Sequence, residues 1–265
     1  MVTVSIVAYH VDFDELRRCL ESLTSSVISS ITIVDNSSED SLRRFLAETF
    51  PTVRYIASAN RGYGAGHNIA MRAALDSAES VYHLVLNSDV RFSPDALTRL
   101  VEYMEANADV ALAHPQLTYA DGEPQWTARA MPRPCDLIIR RFLPNWLFAK
   151  SRRRYLLMDV DRSRPFAVGY VQGSFMLIRT SALRQIGLFD ERFFMYPEDI
   201  DLSRRLASVG SVMCNPDVSV VHDHRAASYH SGRMLRIHIT NIIRYFNKWG
   251  WLFDADRRRI NSLLH

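Results

Sequence analysis

The chain has 265 residues, 48% hydrophobic and 23% charged, which is ordinary globular composition and excludes a disordered or fibrous polypeptide. Lys and Arg number 32 against 29 Asp and Glu, and the formal net charge of +3 excludes a strongly basic nucleic-acid coat but not a local basic patch. Three widely separated cysteines, Cys19, Cys135 and Cys214, form neither a disulfide framework nor a CxxC metal site, so a reducing, cytoplasmic setting is expected. No apolar run approaches the ~18 residues that span a bilayer, and the N-terminus lacks a signal-peptide pattern.

The first ~115 residues alternate between strand-like and helix-like stretches. Residues 2–8 are a β-branched run, and 12–23 carry helical spacing at Phe13, Leu16, Cys19, Leu20 and Leu23. Residues 30–34 read as a strand, 42–49 as a helix and 53–57 as a strand. A glycine-rich loop, NRGYGAGHN, precedes a helix reaching Asp76. A strand at 81–86, a helix at 94–107 opened by Pro94, and a strand at 110–114 follow. This alternation predicts an α/β fold with a mostly parallel central sheet covered on both faces. Such sheets bind ligands beyond the carboxyl ends of their strands, where this sequence places His10, Asp35-Asn36-Ser37, Asn60-Arg61-Gly62 and Asn87-Ser88-Asp89.

The second half is less regular. Residues 129–164 hold ten basic and three acidic side chains, interleaved with Leu137, Ile138, Phe142, Trp146 and Phe148. That mixture over 137–157 suits an interfacial helix on anionic lipid, broken in two by Pro144, and Arg152-Arg153-Arg154 would face the lipid. The same arginines can instead form a solvated face or grip an acceptor diphosphate. A strand candidate GYVQGSFMLI, an aromatic and acidic segment ending in PEDIDLSRRL, the tripeptide His222-Asp223-His224 and a long helical C-terminus complete the chain.

Several residues can carry chemistry. Asp89, closing a buried-looking strand, suits a cation that bridges a diphosphate, although Asn87-Ser88-Asp89 also suits a plain turn. Asp35 can accept a hydrogen bond from a base or ribose, or cap a helix. The glycines of the 60–66 loop admit close backbone approach to a phosphate, or make a tight turn. Glu198, Asp199 and Asp201 open a helix, where acids suit the dipole; one of them can also be a general base. His222 or His224 can complete a metal site, or be structural. The first strand-to-helix turn has no glycine and no GK[ST] occurs, which argues against a Rossmann oxidoreductase and a P-loop.

In order, the segments SIVAYH, IVDNSS, NRGYGAGHNIA, LNSDV, GYVQGSFMLIR, GLFDERFFMYPEDIDLSRRL and VVHDHRAAS resemble glycosyltransferase family 2, over residues 2–230. The tail from residue 238 looks like that of bacterial rhamnosyltransferases that build O-antigen and related surface polysaccharides. The resemblance implies a GT-A nucleotide-diphospho-sugar transferase fold, with a catalytic domain over 1–230 and a C-terminal helical extension over 231–265. Within the catalytic domain, 1–115 would be the nucleotide-binding half and 116–230 the acceptor half. It implies an inverting, metal-dependent enzyme that moves a sugar from a dTDP- or UDP-sugar donor, rhamnose from dTDP-rhamnose being the first choice, to a lipid-linked saccharide at the inner membrane face. Ala8, His10, Asp35, Asn60, Arg61, Gly62 and Asn87 would bind the nucleotide. Asp89 would hold Mg²⁺ or Mn²⁺ with His222, His224 being the other candidate. Asp199 would be the base, flanked by Glu198 and Asp201 on the acceptor side. Asn87 stands where the family's Asp-x-Asp motif has its first acid. That departure leaves a second reading, a catalytically silent binding subunit of a membrane polysaccharide-assembly complex.

Overall fold

The computed structural model describes residues 1–37, 40–77, 80–139, 149–223 and 232–264. Its centre is a nine-stranded sheet in the order β3-β2-β1-β4-β10-β6-β11-β5, with β8 paired to β11. The strands are β1 (Val2–Ala8), β2 (Ile28–Asp35), β3 (Arg54–Ala57), β4 (Tyr82–Leu86), β5 (Val90–Arg91), β6 (Val110–Thr118), β8 (Phe166–Ala167), β10 (Phe175–Arg179) and β11 (Ser211–His222). A separate ribbon pairs β7 (Ala128–Arg129) with β9 (Tyr170–Val171). Strands β1 to β4 are parallel. β10 runs antiparallel between β4 and β6, and β11 parallel to β6. The sheet is thus mixed, and residues from both halves of the chain share it. The boundary expected at 115 falls inside β6.

β1 shows why the sheet is buried on both faces. Val2, Val4, Ile6 and Ala8 pack on one side with α1 (Phe13–Ser22), α2 (Ser41–Thr49) and α4 (Pro94–Ala106). Helices α3 (Tyr63–Asp76), α6 (Thr180–Ile186) and α7 (Glu198–Leu206) cover the other, through Met71, Leu183, Leu202 and Leu206. The period of two in β1 therefore sends its even-numbered residues into the first core and turns Ser5 and Val7 toward α3. Helix α1 starts where expected because the Asp12 carboxylate accepts the backbone N–H groups of Asp14 (2.9 Å) and Glu15 (3.1 Å). A third core joins α5 (Ala149–Tyr155) to α8 (Gly232–Trp249) and α9 (Ala255–Ser262), through Tyr155, Tyr245, Phe246 and Ile260.

One expectation is corrected. The glycine-rich loop is shorter than its sequence suggests, because α3 begins at Tyr63 and takes in Gly64 and Gly66. A Cβ at Gly64 would lie 2.8 Å from the Phe189 side chain, and one at Gly66 would lie 2.7 Å from Val7. Gly66 lets the helix press on β1 at Val7, and Gly64 lets it press on Phe189. In the 137–157 stretch, Tyr155, Leu156 and Leu157 are buried, and Arg153 and Arg154 pair with Asp159 and Asp136. That part of the stretch belongs to the body of the protein; Arg140, Arg141, Phe142, Pro144, Trp146 and Phe148 lie outside the described residues. No helix among the described residues is long and apolar enough to cross a membrane.

Candidate active site

The carboxyl ends of β1, β2 and β3 open into a cleft of about 390 Å³. It is lined by Tyr9 and His10 after β1, Asn36 and Ser37 after β2, Ser58 to Asn60 after β3, and Phe194. This is the crevice at which parallel α/β sheets take their ligands. Ala8 is buried beneath it, and its carbonyl accepts the Asn36 N–H at 2.8 Å. Asp35 is also fully buried, so it shapes the cleft from below. Its Oδ1 accepts the Ser37 backbone N–H (2.8 Å) and hydroxyl (2.5 Å), and its Oδ2 accepts the Tyr55 hydroxyl (2.9 Å). Ser37 in turn accepts the His10 N–H at 3.2 Å, which holds the β1 exit in the left-handed region at φ 50°. Asn60 accepts the Gly62 N–H at 3.1 Å. Gly62 has φ 106°, and a Cβ there would lie 2.1 Å from the Phe194 carbonyl oxygen, so no other residue fits. Arg61, next to Asn60 in sequence, is exposed.

Asp89 and His222 come together although 133 positions separate them. Pairing of Val90 with His222 across β5 and β11 places the imidazole Nε2 3.4 Å from Asp89 Oδ1. Gln125 fixes the ring: its Oε1 lies 2.9 Å from His222 Nδ1, and its Nε2 donates to the His222 carbonyl at 2.7 Å. Assigning the ring proton to Nδ1 on that contact leaves the Nε2 lone pair facing Asp89. A carboxylate oxygen and an imidazole nitrogen at this spacing fit one divalent cation, with diphosphate oxygens and water completing its shell. Among the described residues no cluster of three or more His, Cys, Asp or Glu side chains surrounds such a point. His224 lies outside the described residues.

Asp199 sits at the start of α7 and lines a second cavity of about 250 Å³ with Arg129, Tyr155, Tyr170, Gln172, Tyr196 and His238. Its Oδ1 accepts the Ile200 N–H (2.8 Å) and its Oδ2 the Gly173 N–H (3.3 Å). Burial pushes its carboxyl up to about 6, against the lowering effect of these amides and of Arg129. It is therefore ionised at neutral pH yet a better proton acceptor than an ordinary aspartate. Its neighbours differ. Glu198 is 5% exposed, and burial together with Asp199 raises its carboxyl well above the usual range. Asp201 is fully buried and turned away from the cavity: it accepts from Arg205 (2.8 Å), Lys248 (2.6 Å) and the Trp249 indole (2.8 Å). Its expected place beside the acceptor is corrected, since it fastens α8 to α7.

Tyr63 and Gln125 were not singled out in the sequence. The Tyr63 hydroxyl lies 2.6 Å from the Gly173 carbonyl and 3.0 Å from Asn87 Oδ1. Burial, with Glu198, Asp199 and Asp89 nearby, raises it well above the usual tyrosine range, so it keeps its proton. One proton cannot serve two acceptors equally. It goes to Gly173, and the Asn87 amide satisfies the other contact when its Nδ2 is turned to donate. An aspartate at 87 would have no proton to give, which supplies a physical reason for Asn at that position. Tyr63 thus links the turn bearing Asp89 to the Gly173 amide that holds Asp199.

A mostly parallel sheet flanked by helices, with a cleft at the ends of β1 to β3, is the architecture of the GT-A glycosyltransferases. The chain belongs to glycosyl transferase family 2, whose model matches residues 3–187. It is 30% identical over 257 residues to the N-acetylglucosaminyl-diphospho-decaprenol L-rhamnosyltransferase of Mycobacterium tuberculosis, covering 91% of this chain and 80% of that one. It is 26% identical over 275 residues to rhamnosyltransferase WbbL of Escherichia coli, covering the whole of both. Among solved structures, GalNAc-T7 with UDP, GalNAc and Mn²⁺ superposes with TM-score 0.67 at 16% identity, over 94% of this chain. This chain spans about half, 48%, of that protein. The mannosyltransferase of Pyrobaculum calidifontis with GDP-mannose and Mn²⁺ gives TM-score 0.59 at 17% identity, over 99% of this chain and 68% of that one.

Proposed function

We propose that this glycosyltransferase moves rhamnose from dTDP-rhamnose, with inversion, to a lipid-linked saccharide in surface-polysaccharide synthesis. The observation that carries the sugar and the acceptor is the likeness to two rhamnosyltransferases, over 91% and all of this chain, one of which is named for a diphospho-decaprenol acceptor. In this reading the cleft lined by His10 and Asn60 and shaped from below by Asp35 takes the nucleotide, with Arg61, Gly62 and Asn87 beside these residues in the chain or the fold, and Asp89 and His222 hold Mg²⁺ or Mn²⁺ at its diphosphate. The Mn²⁺ in both structural neighbours supports a divalent ion. When bound, the cation neutralises charge that builds on the departing diphosphate. The acceptor saccharide enters the Asp199 cavity, and Tyr170, Tyr196 and His238 flank its ring. Asp199 takes the proton of the acceptor hydroxyl as that oxygen bonds to the anomeric carbon. The bond from that carbon to the diphosphate breaks on the opposite face. A single carboxylate suffices, unlike the pair a glycoside hydrolase needs.

The test is release of nucleoside diphosphate from a panel of dTDP-, UDP- and GDP-sugars, with a polyprenyl-diphosphate N-acetylglucosamine acceptor and Mg²⁺ or Mn²⁺. Turnover restricted to dTDP-rhamnose supports the reading, and turnover with another donor replaces its sugar. No turnover with any donor would favour the silent subunit. Full activity in excess chelator would remove the cation from the scheme.

A further inference from the structure

Helices α8 and α9 meet in a tight turn at Gly250, φ 100°, where a Cβ would lie 2.8 Å from the Phe253 carbonyl oxygen. The turn thrusts Trp251, Leu252 and Phe253 outward, 37, 79 and 88% exposed. The apolar surface does not stop there. Ile239 and Ile243 are 40 and 42% exposed one helical turn apart on α8, on the face that also shows Arg236, Thr240, Arg244 and Asn247 to solvent. The Trp251 indole donates to Asn247 Oδ1 at 2.8 Å and joins the turn to that face. Arg258 of α9 is exposed beside it in sequence, and no ion pair is formed by Arg236, Arg244 or Arg258 among the described residues. Another side of α8 carries His238 and Ile242, which line the Asp199 cavity.

We infer that this C-terminal edge is the surface by which the enzyme seats on an anionic bilayer, Leu252 and Phe253 entering the interface and the arginines facing headgroups. Bulky apolar side chains on the elements that also expose Arg236, Arg244 and Arg258, none of them in an ion pair among the described residues, match such a surface in both polarity and charge sign. A second copy of the chain is disfavoured, because a two-fold contact would set the same arginines against their own like charges. Seating here brings the mouth of the Asp199 cavity beside the lipid on which the proposed acceptor travels; in that respect the inference rests on the acceptor reading above.

The experiment is co-sedimentation of the full chain with vesicles of phosphatidylcholine containing phosphatidylglycerol, against phosphatidylcholine alone. Binding to the anionic vesicles at low salt, with a blue shift of tryptophan emission, is expected. The double variant Leu252→Ser, Phe253→Ser should bind about ten-fold more weakly or worse, and Arg236→Glu with Arg258→Glu should lose the preference for anionic lipid. Circular dichroism and turnover on a short-chain, water-soluble acceptor should match wild type in both. Wild-type protein left in the supernatant would overturn the inference. So would undiminished binding by the apolar double variant, or a dimer in light scattering that this variant dissociates. Failure of the acceptor reading would leave vesicle binding intact, whereas failure of the docking surface would leave transfer to detergent-dispersed lipid acceptor intact.

Discussion

At Asp199 the requirements of the proposed catalysis and of stability oppose one another. The native carboxyl titrates at about 6, whereas in the unfolded chain it does so near ~3.9. Between those values the unfolded state has shed its proton and the native state holds it. The ionised native form is thus destabilising, increasingly so from pH ~4 to about 6 and constantly above. Asp199→Asn should therefore raise the melting temperature more at pH 8 than at pH 5, while turnover falls ~10²–10⁴-fold and nucleotide affinity holds. Equal melting shifts at both pH values would show that ionisation of this carboxyl is not the cause. The wild-type rate should rise with pH through about 6 and then level. Tyr63 acts on the same group at one remove. Tyr63→Phe removes the bond to the Gly173 carbonyl, and the Gly173 amide then holds Asp199 less well. A roughly ten-fold loss of kcat is expected, with the acid limb moved to higher pH. A lower kcat with an unmoved limb would reduce Tyr63 to packing.

Among the elements, β1, β4 and α3 enclose a polar chain that no alternation pattern announces. Thr3 Oγ1 lies 2.8 Å from His83 Nδ1, Ser5 Oγ 2.8 Å from His83 Nε2, and Ser5 Oγ 2.7 Å from His67 Nδ1. A consistent proton order has His67 donating to Ser5, Ser5 to His83, and His83 to Thr3, with both imidazoles neutral. Burial enforces that neutrality: His83 is lowered to about 3, His67 well below its usual value, and His114, bonded to the Phe175 carbonyl and Thr127, to about 4. Below the unfolded value of ~6.5 the unfolded chain binds protons that the native state refuses, so stability falls as pH drops toward the native values. Between pH 6.5 and 5 the loss is ~2 kcal/mol per histidine at full effect. Urea unfolding at pH 7.5 and 5.0 should show it, and His83→Gln should reduce the difference. An unchanged unfolding free energy at pH 5 would mean these rings charge freely in the fold. The same elements show what sequence can disclose. β1 and α1 are legible because their periods are local and Asp12 marks a cap. The start of α3 is not, because glycines packed against Phe189 and Val7 look like loop glycines in a string of letters. β5, β7 and β9 have two residues each, too few to show a period. The insertion of β10 between β4 and β6 is non-local, and Gln125 is recognisable only once β11 has placed His222 beside it.

Over the whole molecule, the C-terminal helices are locked to α7, the helix that bears Asp199. Arg204 of α7 is 3% exposed, and its Nη1 donates to Asp254 Oδ2 at 2.7 Å, with a second bond completing a bidentate pair. The guanidinium also stacks 4.2 Å from the centre of the Trp249 ring. Asp201 and Asp190 receive Lys248 from α8 on the same side. The two ends of the Arg204 pair are not equivalent. Without its guanidinium, Asp254 keeps the Arg257 N–H at 2.9 Å and the Arg257 side chain at 3.7 Å. Without its carboxylate, Arg204 keeps the Trp249 ring, Tyr245 and, as its one anionic partner among the described residues, Asp256 at 3.8 Å, whose side chain is more than half exposed. Asp254→Ala should thus cost ~3–5 kcal/mol, the penalty of an uncompensated buried charge, with part of it from the lost cap of α9. Arg204→Met should cost less, since the replacement is apolar and Asp254 stays satisfied. The double change Arg204→Met, Asp254→Asn should lie nearer to wild type than Asp254→Ala does, because it leaves no buried charge alone while Asn keeps the cap. Urea denaturation of the three variants measures the order, and turnover on a soluble acceptor should fall with it as α7 loses its support. An Asp254→Ala protein within ~1 kcal/mol of wild type would mean that solvent reaches Arg204, and that the helical extension is held by its apolar face of Ile242, Tyr245 and Phe246 alone.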